Sequence, residues 1–229
     1  MANRIFNCVR CGFCCAEDKH NPEKKENNIK SDSKKGIVVY PEESDIIDMM
    51  TQIKQIPVEF KEESIILDIK NKRIIVTQFK FLFNEEGFCP FFKENRCLIY
   101  DQRPLFCRAY PLVLKQTESN KVDMNIEWDC QSLKNSNLKI GGPENIDTPT
   151  IPPVNLPQYN SLDDIKKYFP MEFRAINQIL LKERQITKKL NDMIQSGEFD
   201  PKFNVDFSFE EFQEANADWE RYILYTEHE

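Results

Sequence analysis

Eight cysteines constrain this chain more than any other feature, and half of them fall within eight residues. The run reads Cys8-Val9-Arg10-Cys11-Gly12-Phe13-Cys14-Cys15, and the other four are Cys89, Cys97, Cys107 and Cys130. Closely spaced thiolates can curl around one metal centre. Gly12 inside the run permits the tight backbone turn this needs. Metal binding is therefore the central reading, with all eight cysteines as candidate ligands.

Compartment decides between metal and disulfides. The chain opens Met1-Ala2-Asn3-Arg4-Ile5-Phe6-Asn7 and runs straight into cysteines, so no apolar leader is evident. No apolar run approaches the roughly 20 residues that span a bilayer. The expectation is a cytoplasmic protein without a membrane partner, and in a reducing cytosol such cysteines serve metals rather than disulfides. A net charge of −7 argues against a nucleic-acid partner, because phosphate contacts need a basic face. With 229 residues, 40% of them hydrophobic, the chain can build one substantial core or one core plus an appendage.

Thiolate donors select zinc or iron–sulfur clusters over hard cations. The only histidines are His20, in a polar stretch, and His228, next to last. A histidine-bearing zinc site, a Cys-His nucleophile pair and a Ser-His-Asp triad are thus not expected. Zinc ribbons join two knuckles of close cysteines. Here only the N-terminus supplies them, and the later gaps are seven, nine and 22 residues. Close cysteines plus distant ones suit an iron–sulfur cluster, and the first three of the run resemble ferredoxin spacing. The reading is an iron–sulfur cluster, [4Fe–4S] among the candidates, with zinc as the alternative. Arg10, Arg96 and Arg108 each adjoin a cysteine and Arg103 lies four residues before one. Their guanidinium groups would offset thiolate charge, or pair with Asp101 and Glu127. In an extended segment Cys14 and Cys15 would face opposite ways, which implies two neighbouring sites. No Gly-rich phosphate loop and no C-x3-C-x2-C run is present. No catalytic residue is assigned, and whether the protein is an enzyme stays open.

Taken in order, residues 16–36 are polar and read as a loop. Ile37–Tyr40 reads as a strand ended by Pro41, and Ser44 as the cap of a short helix burying Ile46, Ile47 and Met50. Ser64–Ile69 and Arg73–Phe79 read as a hairpin across Lys70-Asn71-Lys72. Short strands near Phe91 and Leu98 would bring Cys89 and Cys97 together. Pro104 suits the first turn of a helix from which Cys107 projects, and Lys121–Trp128 alternates as a strand.

These motifs are ordered: Cys8-x2-Cys11-Gly12-x-Cys14-Cys15, then Cys89-Pro90-Phe91-Phe92, then Cys97-x-Ile99-Tyr100-x2-Arg103-Pro104-x2-Cys107-Arg108-x-Tyr110-Pro111. Together they resemble the YkgJ-type cysteine-cluster family, the CxxCxxCC domain, over Cys8 to Cys130. The resemblance implies chelation of zinc or iron. The chain departs from the family after Cys130, where Gln131-Ser132 stand in place of its usual Pro-Gly. A related cluster occurs in flagellin lysine N-methylases, which implies protein-modifying chemistry as one role.

The stretch from Gly141 to Asn160 carries Pro143, Pro149, Pro152, Pro153 and Pro157 and reads as a linker. Beyond it the pattern is helical. Ser161-x2-Asp164 opens one helix, and after Pro170 the residues Phe173, Ile176, Leu180, Ile186, Leu190 and Ile194 mark one face of a long helix that Gly197 ends. Ser208-x2-Glu211 opens a last helix with Phe212, Ala215, Trp219 and Tyr222 inward. The expected fold is α+β: a cysteine-rich metal-binding domain with short antiparallel strands at 1–140, a linker at 141–160, and an α-helical segment at 161–229. The expected function is electron transfer or protein modification with a protein partner or substrate. The alternatives are a zinc-binding interaction module and a metal-delivery protein.

Overall fold

The computed structural model describes residues 6, 8, 10, 12–15, 36–116, 122–127, 130–134, 162–203 and 206–226. In chain order its elements are β1 (Gly36–Val39), α1 (Pro41–Lys54), β2 (Phe60–Asp68), β3 (Arg73–Leu82), β4 (Phe92–Lys93), β5 (Arg96–Cys97), α2 (Leu105–Ala109), β6 (Leu112–Gln116) and β7 (Val122–Ile126). Then come α3 (Gln131–Lys134), α4 (Leu162–Tyr168), α5 (Pro170–Gln195), β8 (Pro201–Phe203), α6 (Phe209–Asp218) and β9 (Glu220–Ile223). Single 3₁₀ turns lie at Phe13–Cys15 and Tyr100–Gln102. The class is α+β, as the alternation of strand and helix patterns implies.

Two compact units divide the chain, each built from two stretches of it. One takes Lys30–Pro90 with Leu180–Glu229 and holds the five-stranded sheet. Its centre is the β2–β3 hairpin, where β-branched residues pair Ile65 with Val76, Ile66 with Ile75 and Leu67 with Ile74. The far edge of β3 is shared. There β1 pairs antiparallel with Phe79–Leu82, and β9 pairs parallel with Arg73–Val76. The free edge of β2 takes β8. On one face Leu67, Ile74 and Val76 pack with Ala215, and Phe212 and Trp219 flank them. Ile66 and Ile75, on the other face, are buried as well. The hairpin turn is fixed by the fully buried Asp68, which accepts from Asn71 Nδ2, Arg73 Nη2 and the Asp200 amide.

Several expectations shift here for identifiable reasons. Helix α1 starts at Pro41, not near Ser44, because the Glu43 carboxylate reaches back 3.1 Å to the Tyr40 amide and satisfies that donor. The longer helix leaves Ile46 exposed while Ile47 is buried. Ser208 and Glu211 form the expected capping box, but α6 stops at Asp218. Trp219 turns extended, and Tyr222 sits in strand β9 instead of on a helix. The C-terminal segment is therefore not wholly helical, since β8 and β9 join the sheet. Of the loop expected at 16–36, Gly36 opens β1 instead, and residues 16–35, the linker at 141–160 and Ser161 lie outside the described residues.

The other unit takes Met1–Ile29 with Phe91–Ile179. Its β4–β5 hairpin pairs Phe92 with Cys97 and Lys93 with Arg96. Glu94 and Asn95 between them both have positive φ, the two-residue turn that suits strand twist. The β6–β7 hairpin pairs Leu112 with Ile126. The N-terminal segment is anchored by Phe6, whose amide donates to the Tyr168 carbonyl at 2.7 Å and whose ring lies 5.4 Å from that of Phe169. Pro170 opens α5, as Pro does at a first helical turn, and Ala175, Ile176 and Ile179 are buried. Among the described residues no helix is long and apolar enough to cross a membrane.

Candidate metal centre

The N-terminal cysteine run is folded, not extended. Gly12 takes φ +75°, open to glycine at little cost, and the Cys15 amide then donates to the Gly12 carbonyl at 2.9 Å. In the resulting 3₁₀ turn successive side chains are about 120° apart. Cys14 is hydrogen-bonded to the Cys15 side chain. The premise that neighbouring cysteines face opposite ways, as in an extended segment, therefore fails at this turn.

The turn is seated on the hairpin that carries Cys97. A Cβ at Gly12 would run into the ring of Phe92, and Phe92 is the strand partner of Cys97. The thiols feel this proximity. The bond to Cys15 and burial push the Cys14 thiol far above its ordinary range, while Arg103 pulls it down. Burial also raises Cys97, opposed by the Ile99 amide and Arg103, and the charges of Cys14 and Cys8 add to the rise. Cys8, Cys14, Cys15 and Cys97 thus form one electrostatic neighbourhood beside Arg103. The Cys8 sulfur also accepts the Arg10 amide at 3.4 Å, the kind of N–H to sulfur contact that tunes a metal-bound thiolate.

Arg103 is held rigidly. Its Nε donates to the Tyr100 carbonyl at 3.0 Å, and its Cζ lies 3.8 Å from the centroid of the Tyr100 ring. The Arg10 guanidinium lies over the same ring at 3.9 Å. Arg96 pairs with Glu94 at 3.4 Å, both ends exposed, in place of the expected Asp101 or Glu127. Such a pair contributes little. Sequence reasoning missed Glu172, in the first turn of α5. One of its carboxylate oxygens is buried without a hydrogen-bond partner among the described residues. Burial raises its pKa to about 7 against the pull of Arg103. A glutamate near a helix start ordinarily reads as solvated, so no sequence signal marked it.

The remaining cysteines are spread over other elements. Cys107 is half-buried on α2, as expected. Cys130 is buried, with its carbonyl accepting the Leu133 amide at 2.9 Å where α3 begins. Cys89 is buried in the unit that holds the sheet. Cys11 lies outside the described residues. Among the described residues no three His, Cys, Asp or Glu side chains converge as a metal-bound set would. The donor chemistry fits a thiophilic metal. Cys14 and Cys15 lie side by side on one turn, and Arg103 opposes the rise of the Cys14 thiol.

Cysteines on a folded N-terminal turn beside a cysteine-bearing hairpin supply the soft donors that a cysteine-cluster metal-binding protein uses. The family model CxxCxxCC, described as "Putative zinc- or iron-chelating domain", matches residues 7–132, and the chain belongs to this family, also called YkgJ-type. That membership supports a metal-binding role. No curated protein and no solved structure matches the chain.

Proposed function

We propose that the protein is a cytoplasmic, cysteine-ligated iron–sulfur protein serving electron transfer or a protein-modification reaction on a protein partner. The hydrogen-bonded Cys14–Cys15 pair, sharing Arg103 with Cys97, carries this reading. The ligands would come from Cys8, Cys11, Cys14, Cys15, Cys89, Cys97, Cys107 and Cys130. When bound, the cluster would supply one-electron chemistry. The chain's own residues do the rest. Gly12 and Phe92 hold the cysteine turn against the β4–β5 hairpin. Arg103 places positive charge beside Cys14 and Cys97, which favours their thiolate forms. The Arg10 amide orients the Cys8 sulfur.

Iron, zinc and acid-labile sulfide counted in anaerobically isolated protein test the reading. Iron with matching sulfide and a visible charge-transfer band is the expected result. Zinc without sulfide overturns it in favour of a zinc-binding interaction module. Transfer of the metal to a chelator within minutes points to a metal-delivery protein.

A further inference from the structure

Helix α1 carries an apolar row that its own fold does not use. Ile47 is buried, and α1 packs on β3. Yet Ile46, Met49 and Ile53 are 42%, 52% and 62% exposed. They stand at i, i+3 and i+7, so they form one stripe about two turns long. Apolar side chains exposed singly need no explanation, but a continuous row marks an interaction surface. The stripe is also held rigid. Buried Glu42, in the first turn of α1, accepts from the Thr226 amide and from the Thr226 hydroxyl at 2.6 Å, and Lys182 of α5 donates to it at 3.3 Å. A face fixed in this way loses little freedom when a partner covers it.

The rim of the stripe decides its occupant. Asp45 and Asp48 are exposed on one flank, and neither forms an ion pair among the described residues. The one basic residue of α1 is Lys54. At about 100° per residue it falls on the flank opposite Asp45. Two copies packed antiparallel along the stripe would therefore gather the aspartates of both on one side with no lysine between them, which like charges oppose. An anionic lipid surface is repelled by the same rim. We propose that the Ile46–Met49–Ile53 face of α1 is a docking surface for a basic amphipathic helix of a partner protein. Its apolar row lies against the stripe, and its Lys or Arg side chains meet Asp45 and Asp48. Amphipathic helices dock in this way through anchors at i, i+3 or i+4, and i+7. The surface belongs to the unit that holds the sheet and does not rest on the metal-binding reading.

The probes are two labelled synthetic helices with the same leucine row, one flanked by lysines and the other by glutamates. Each is titrated with the full chain and followed by fluorescence anisotropy, with circular dichroism confirming that every variant folds. The lysine helix is expected to bind and the glutamate helix not. Ile53→Ser is expected to weaken the lysine helix about tenfold, the effect of removing one aliphatic anchor. Asp45→Lys combined with Asp48→Lys is expected to reverse the preference, so that the glutamate helix binds instead. Glu214→Lys combined with Asp218→Lys makes the same change in net charge on α6, and should leave the lysine helix bound as before. A loss in that control as large as in the α1 pair, or indifference to Ile53→Ser, reduces the effect to bulk charge and overturns the inference. So does failure of both helices to bind, or binding of phosphatidylserine vesicles through the same face. A wild-type dimer in sedimentation that Ile53→Ser dissolves overturns it as well, in favour of a second copy.

Discussion

The ring of Phe92 occupies the space that a side chain on Gly12 would need, and Gly12 holds φ +75°. Any substitution there meets both a steric and a backbone penalty. Gly12→Ala is expected to cost about 1–3 kcal/mol locally, the range for forced overpacking. The cost falls on the seating of the cysteine turn, so metal content per chain should drop. Phe92→Ala in the same background removes the collision and is expected to restore part of it. Metal analysis of the single and double variants decides. Full metal content in Gly12→Ala would show that the turn's seat on β4–β5 does not matter.

Removing the metal should divide the molecule's response. Site formation and folding share one free energy in small cysteine-rich units. The sheet unit is different, because β2 and β3 bury Ile75 and pack Leu67, Ile74 and Val76 with Ala215 in an apolar cluster. Amide hydrogen exchange on apo protein is expected to show lost protection at Leu98 and Leu133, with protection retained at Ile66 and Ile75. Uniform protection in apo and loaded protein would contradict the coupling.

Much of this was legible in local sequence. The β2–β3 hairpin follows from β-branched runs across Lys70-Asn71-Lys72, and the α6 start from Ser208 and Glu211, because both rest on contacts a few residues apart. The face of α5 was legible in part, since Ile176, Ile186 and Leu190 are buried while Ile194, at its end, is exposed. What escaped was long-range. Phe212, Ala215 and Trp219 do meet one core, so helical spacing described them correctly. Nothing local says that the chain then turns extended at Trp219 and pairs β9 in parallel with β3, some 145 residues earlier in sequence. At the site, the cysteines were legible by type and spacing. Their local conformation was not, because the positive φ of Gly12 folds a run that reads as extended. Glu172 was invisible because its burial depends on tertiary packing alone.

The folded turn changes what single cysteine substitutions should do. Cys14 bonds to Cys15 and shares Arg103 with Cys97, so the two neighbours are expected to serve one site. Cys14→Ser and Cys15→Ser should each reduce metal in that same site and leave the same residual spectrum. Variants that each keep about half the metal, with different residual spectra, would restore the two-site arrangement.

Asp68 and Glu172 give the two units opposite pH limbs. Burial pushes Asp68 up, but hydrogen bonds from Asn71 and Arg73, with the Asp200 amide, bring it below its ordinary 3.8. A carboxyl lowered on folding stabilises above its unfolded pKa, and that stability is lost as pH falls through the folded value. Protection at Leu67 and Ile74 should therefore fall only in acid, below about pH 4. Glu172 runs the other way, raised by burial from 4.5 to about 7. Its contribution is fully present below the unfolded value and is lost as pH rises through about 7. Protection in α2 and the β4–β5 hairpin should decline across that window. Glu172→Gln should abolish the decline and leave the acid limb untouched. Asp68→Asn should cost the sheet about 3 kcal/mol at neutral pH, as loss of a buried charge partner does, and flatten the acid limb. Exchange protection factors collected from pH 3 to pH 8, corrected for intrinsic rates, read both limbs at once. A decline with rising pH that survives in Glu172→Gln would assign it to another group.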